Sequence, residues 1–308
     1  MQRVPEIDFL KGILILLMIS FHLVYFEHLY PYAKQVVYTF HMPGFLILSG
    51  YLMKVTKPWR QFLRTVFFFA LPYIIMESGY IVMASLLPIN EHIDNLTAGV
   101  FLDKLLLHPL GPYWYLHTLV VCACCYYAVI RYVRMKLLSQ LILLGLVYYL
   151  FASVLGIMDF ACSLYFLAGA AIHQSGLPLL RLFQSSTVSV LALALLVIHP
   201  ENLSKSTSGG IMIVYLTFSL CLFAYLYLPT TVRQPLQYLG EHTLVLFLFS
   251  PMFTILCKQL VPWLSFDPTG LLFLALSLLC CVTGSLAVAW LSDTLRLSPW
   301  LFGKQKIL

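Results

Sequence analysis

Lys11 and His22 lie inside the first apolar run of the chain, Glu6-Ile-Asp-Phe-Leu-Lys-Gly-Ile-Leu-Ile-Leu-Leu-Met-Ile-Ser-Phe-His22. Their separation of eleven residues is three helical turns. A helix there places both side chains on roughly one face, about 16 Å apart along its axis. An ammonium and an imidazole are costly to bury in hydrocarbon, so such groups are directed into a bundle or a wet cavity. The chemistry they suit is general acid–base and electrostatic catalysis. A histidine of near-neutral pKa can take the proton of an attacking hydroxyl, and a cation can stabilise the oxyanion that forms. His22 is the candidate base. Lys11, His41 and Ser49 are the candidates for oxyanion stabilisation.

Three further ionisable groups fall within apolar runs. His41 and His117 come early in inward-running segments, and Glu77 sits near the middle of the third. With His22 they converge on the middle-to-outer zone of a membrane. Each histidine also fits plain hydrogen bonding between helices, and Glu77 also fits a neutral, protonated packing carboxyl. His242, beside Glu241, begins a later run near the opposite face. The segment Lys54-Val-Thr-Lys-Pro-Trp-Arg-Gln-Phe-Leu-Arg64 concentrates four cations. Arginine presents a planar fork that pairs with phosphate oxygens, so Arg60, Arg64 and Lys57 could hold the phosphates of an anionic cofactor such as coenzyme A. Membrane orientation by itself also explains such a loop.

The elements that must position these groups are membrane helices. The 308 residues are 61% hydrophobic and only 10% charged, against about 25% charged for a soluble domain. Ten apolar runs are long enough to cross a bilayer, at 7–27, 35–53, 65–87, 112–130, 137–156, 159–175, 186–200, 209–228, 239–260 and 269–292. The expected fold is all-α: a polytopic bundle of about ten transmembrane helices, with residues 1–308 as one integral membrane domain. The first run lacks a basic leader and a small-residue cleavage site, and reads as a retained helix. The longest interhelical segment, from about Pro88 to Gly111, is too short to fold alone.

Ten spans put both termini on one side, and the charges say which. One set of loops and tails carries the basic segment 54–64 together with Arg131, Arg134, Lys136, Arg233, Lys304 and Lys306, among others. The other set holds only Lys34, Lys104, Lys205 and Lys258, with most of the loop acids. The basic side, with both termini, is expected to be cytoplasmic. The net charge of +6 therefore reflects topology and not nucleic-acid binding. The eight cysteines all lie in apolar runs without the spacing of a zinc site, and read as packing residues with no metal expected.

Several segments together resemble the membrane acyltransferase 3 family. Ile7 to His22 is similar to its first-helix signature, in which an arginine precedes a histidine by eleven positions; Lys11 stands at the arginine's place, keeping the charge and losing the fork. Phe40-His-Met-Pro-Gly-Phe-Leu-Ile-Leu-Ser-Gly-Tyr-Leu52 resembles the second-helix signature, in the version shared with sugar O-acetylases. Arg60 to Arg64 with Leu71-Pro-Tyr73 resembles the basic loop leading into the third helix, although the family pair commonly has two residues between its members, as Lys57 and Arg60 do. Pro112-Tyr-Trp-Tyr-Leu-His117, Tyr165-Phe-Leu-Ala-Gly169 and Leu239-Gly-Glu-His-Thr-Leu244 match later segments.

The resemblance implies acyl transfer, most often of acetyl from acetyl-CoA, to a hydroxyl of a cell-envelope sugar or lipid-linked glycan, in the inner (plasma) membrane. The site it implies joins His22, Lys11, His41 and Glu77 to donor-binding Arg60, Arg64 and Lys57. Direct transfer and a covalent acyl-enzyme both remain open. The competing reading is a proton-coupled secondary transporter or flippase, with His22, Glu77 and Lys11 as a proton relay.

Overall fold

The computed structural model describes residues 3–86 and 91–308. Pro88, where the longest interhelical segment was expected to begin, lies outside the described residues. Among these residues the secondary structure is helical, with no strand. In chain order the helices are α1 Pro5–Ser20, α2 Val24–Leu29, α3 Pro31–Leu52, α4 Trp59–Leu86, α5 Ala98–Leu106, α6 Trp114–Tyr132, α7 Leu137–Ser153 and α8 Phe160–Gln174. They continue as α9 Leu179–Leu182, α10 Val188–Val197, α11 Ser208–Tyr227, α12 Thr230–Glu241, α13 Thr243–Cys257, α14 Val261–Leu264, α15 Leu271–Thr294 and α16 Ser298–Phe302.

A helix stands on each of the ten apolar runs. Among the described residues, five stretches are long and apolar enough to cross a membrane: α4, Gly111–Tyr132, α11, Thr243–Leu264 and α15. Helices α7, α8 and α10 are apolar but shorter. Large apolar side chains such as Leu138, Leu146, Leu279 and Trp290 point outward, as they do where the surrounding solvent is lipid. Helix starts follow ordinary capping chemistry. Thr97, Asp159 and Thr207 accept from the amides of Val100, Cys162 and Gly210, satisfying donors that no earlier turn can reach. Pro5 opens α1, with Glu6 and Asp8 in the positive first turn.

The chain forms two compact units. The first comprises the chain up to Phe45 and the stretch Pro178–Ser292; the second comprises Leu46–Leu177 and Asp293–Ile307. In the first unit α1 lies against α12 at backbone contact. A Cβ on Gly12 would overlap the Leu236 carbonyl, and one on Gly240 would overlap the Asp8 carbonyl. Small residues let two helices approach this closely. Phe9 meets Tyr225 edge to face at 5.2 Å, and Ser189 donates to Ser219 at 2.7 Å, tying α10 to α11.

The second unit repeats the device. Gly50 of α3 faces the Phe166 carbonyl of α8, and Gly169 of α8 faces the Ile47 carbonyl of α3, each with no room for a Cβ. Phe62 of α4 stacks on Tyr127 of α6 at 4.0 Å, and the Tyr148 hydroxyl of α7 donates to the Cys122 carbonyl of α6 at 2.8 Å.

Two elements differ from the sequence reading. The first apolar run is not one helix. The amides of His22 and Leu23 bond Ile19 and Ser20, so the last turn tightens and α1 ends at Ser20. The second is α12, in a stretch that reads as a polar loop. Arg233, Leu236, Gln237 and Gly240 make one inward face at helical spacing. The arginine lies over the Tyr225 ring at 5.0 Å and Gln237 donates to the Tyr225 hydroxyl at 3.2 Å.

Candidate functional site

In the first unit, His22 and His41 flank one tyrosine. The Tyr38 ring lies 6.0 Å from the His22 ring and 5.1 Å from the His41 ring. Each histidine is aimed by its own segment. The Met18 carbonyl is left free where α1 tightens, and His22 Nδ1–H donates to it at 2.7 Å. His41 Nδ1–H donates to the Val37 carbonyl of its own helix at 2.8 Å. A carbonyl can only accept, so Nδ1 carries the proton in both rings and the neutral Nε2 presents a lone pair. Neither Nε2 has a hydrogen-bond partner among the described residues. His22 is half-buried and His41 is buried. A neutral His41 is therefore a hydrogen-bond acceptor; it could donate to an oxyanion only after gaining a second proton.

Tyr38 is held in turn. Its hydroxyl donates to the Phe21 carbonyl at 3.0 Å, and Lys34 lies over its ring at 5.3 Å while pairing with Glu27 at 2.9 Å.

Lys11 is not brought to His22. Its ammonium pairs with Asp8 at 2.6 Å, one turn back. The same buried carboxylate takes Arg3 at 3.2 Å, and Arg3 reaches Glu241 at the end of α12 at 3.2 Å. The lysine charge thus sits in an ionic cluster at the α1–α12 contact, at the other end of the helix from His22.

In the second unit, Glu77 and His117 hold one connecting segment. Glu77 accepts from the Leu110 amide at 2.7 Å, and His117 Nε2–H donates to the Leu106 carbonyl at 2.9 Å. The Tyr73 hydroxyl donates to the Leu105 carbonyl at 2.6 Å, and Glu91 accepts from the Gly111 amide at 2.6 Å. Side chains of α4 and α6, with Glu91, therefore supply partners to the backbone at the end of α5 and in the stretch that leads into α6. Glu77 Oε2 and His117 Nδ1 are buried without a hydrogen-bond partner among the described residues. Ser49 shares a hydrogen bond with the Tyr115 hydroxyl at 2.8 Å.

The basic loop also belongs to the second unit. Lys57, Arg60 and Arg64 line a groove of about 910 Å³ with the first turns of α4. Lys57 donates to the Thr65 hydroxyl at 3.0 Å, and Tyr127 holds the Lys57 carbonyl at 3.1 Å. Sequence reasoning missed Tyr38, Asp8 as the lysine's partner, and Lys304 on the groove rim. The spacings Lys34–Tyr38–His41 and Asp8–Lys11 were the available signals for the first two.

These features define a helical membrane protein with five candidate spans among the described residues, with buried or half-buried histidines in one unit and a basic groove in the other. A family model described as an acyltransferase domain matches residues 4–291, and the chain belongs to that acyltransferase family. It is also 35% identical over 121 residues to the nodulation protein NolL of Sinorhizobium fredii (strain NBRC 101917 / NGR234). That match covers 35% of this chain, and the chain spans about a third of the relative's length, 32%. No solved structure matches.

Proposed function

We propose that this protein transfers an acetyl group from acetyl-CoA to a hydroxyl of a cell-envelope sugar or lipid-linked glycan. It works as one integral membrane domain, residues 1–308, in the inner (plasma) membrane, with ten membrane-crossing helices and both termini cytoplasmic. The observation that carries the reading is the pair of histidines whose Nδ1–H groups are tied to backbone carbonyls and whose Nε2 atoms are free, within a chain of an acyltransferase family.

His22 Nε2 takes the proton of the acceptor hydroxyl as its oxygen attacks the thioester carbonyl carbon. The tetrahedral intermediate collapses, the C–S bond breaks, and the His22 imidazolium returns the proton to the departing thiolate. His41 accepts a hydrogen bond from the acceptor sugar and orients it. Lys11, positioned by Asp8, supplies the cation toward which the donor's negative charge is drawn. Lys57, Arg60 and Arg64 hold the donor's phosphates from the cytoplasmic side. Glu77 acts as a positioning residue through the Leu110 amide.

The test is purified protein with labelled acetyl-CoA and envelope glycan. Transfer of label, or its release by hydrolysis, is the expected result. Absence of both, with donor binding intact, would remove the enzymatic reading. Loss of a specific ester from the envelope sugars of a deletion strain identifies the acceptor.

A further inference from the structure

The groove of Lys57, Arg60 and Arg64 has a fourth cation, from a segment more than two hundred residues later in the chain. Lys304 lines the same groove, together with Phe302 and Gly303. Among the described residues no carboxylate lines it. None of the four cations makes an ion pair among the described residues. Surface lysines and arginines ordinarily face solvent or an acid. Here four converge on one concavity with no counter-charge.

The segment that brings Lys304 there is built to hold it. Asp293, at the end of α15, accepts from the Ser298 hydroxyl and from the Ile307 amide, at 3.0 Å to Oδ1. One carboxylate thus clasps both ends of the stretch 298–307. Phe302 is buried at 1% exposure and anchors α16. Gly303 ends α16 with φ +65, a left-handed turn that favours glycine. The turn passes Phe67, 3.5 Å from where a Cβ on Gly303 would stand. Beyond it, the Lys304 ammonium lies 3.6 Å from the centroid of the Phe68 ring. Lys306, two residues on, does not line the groove.

We propose that the C-terminal segment is part of a phosphate-binding site, in which Lys304 closes the groove of Lys57, Arg60 and Arg64 over a phosphate group of the ligand. The proposal rests on the donor-binding reading above, and it adds a residue and a chain segment to it. The charges favour such an occupant. Partial burial and the neighbouring charge of Lys57 both push the Lys304 pKa down. An anionic phosphate group between the two ammoniums would relieve that repulsion. Phosphates of this kind come either from a soluble acyl-CoA or from an anionic lipid headgroup.

The experiment compares Lys304→Gln, Lys306→Gln and Arg60→Gln in the full-length protein. Coenzyme A binding is measured by calorimetry. Thermal midpoints are measured in nanodiscs of phosphatidylcholine with and without phosphatidylglycerol. Lys306→Gln removes the same charge from the same tail and controls for topology. Expected is a loss of about tenfold in coenzyme A affinity for Lys304→Gln, a loss for Arg60→Gln, and none for Lys306→Gln.

Wild-type affinity in Lys304→Gln beside a loss in Arg60→Gln would overturn the proposal while leaving the donor reading standing. Wild-type coenzyme A affinity in all three variants, with the phosphatidylglycerol shift lost only in Lys304→Gln, would keep the phosphate site, assign it to lipid, and remove the donor reading from this groove. Unchanged behaviour of Lys304→Gln in both assays overturns the proposal outright. An equal loss for Lys306→Gln does the same, because it reduces the effect to bulk charge.

Discussion

Two pairs of polar residues in apolar runs look alike in the sequence and are bonded differently. His22 and His41 each bond a carbonyl four residues back on their own segment. Glu77 and His117 instead bond the backbone of the connecting stretch, at Leu110 and Leu106. A bond to one's own turn fixes a ring at little cost and holds no other segment in place. A bond to a distant backbone group commits the side chain to holding that group in place. The first arrangement is suited to chemistry and the second to architecture, although all four groups lie in apolar runs.

The comparison is sharpened most by His22→Ala. Acetyl transfer should fall by about 10²–10⁴-fold, the usual contribution of a general base, while insertion and thermal midpoint stay near wild type. Near-normal turnover in the variant would remove His22 as the base.

Arg60→Gln and Arg64→Gln, in the groove, should each raise the apparent KM for acetyl-CoA by roughly ten- to a hundredfold with a smaller change in kcat, because each loses charge-assisted hydrogen bonds far from the reacting carbonyl. Steady-state kinetics on protein of verified topology reads this; an unchanged KM in both would move the donor elsewhere.

Glu77 tests the other half of the comparison. Glu77→Ala leaves the Leu110 amide buried and unpaired, which costs about 1–3 kcal/mol, and should speed proteolysis of the segment near residues 106–113. Glu77→Gln keeps an acceptor for that amide and should retain both stability and activity. If Glu77→Gln is stable yet inactive, the carboxylate has a chemical role and the division between the pairs breaks.

The smallest expected effect is that of Tyr38→Phe. The hydroxyl's bond to the Phe21 carbonyl is worth about 0.5–1.5 kcal/mol, and the ring remains between the histidines. A modest drop in kcat with unchanged donor KM is expected. A loss as large as that of His22→Ala would place the hydroxyl itself in the reaction.

Asp8 shows how much of the site could be read in advance. Three residues before Lys11, at the spacing of a helical ion pair, it was available as the lysine's partner from the sequence. Gly12 and Gly240 were not legible as a pair. Each looks like an ordinary glycine in or beside an apolar run, and only the crossing of α1 and α12 makes both necessary. The same holds for Gly50 and Gly169, which stand in two of the family segments and meet across α3 and α8. The signature segments are thus partly packing signatures.

By itself the sequence determined that this chain is helical, apolar and built for a membrane, because composition and run length act locally and a bilayer admits few solutions for unpaired backbone. It also determined which residues could do chemistry, since ionisable groups in apolar runs are few. Tertiary structure decided what each group bonds. The tautomer of His22 follows from a carbonyl that opens only because α1 stops at Ser20. The employment of Glu77 follows from the amide of Leu110, thirty-three residues away. The fourth cation of the groove follows from a glycine turn and an aspartate clasp near the end of the chain. Each depends on a partner distant in sequence or on where a helix ends, and neither quantity is carried by residue type or local period.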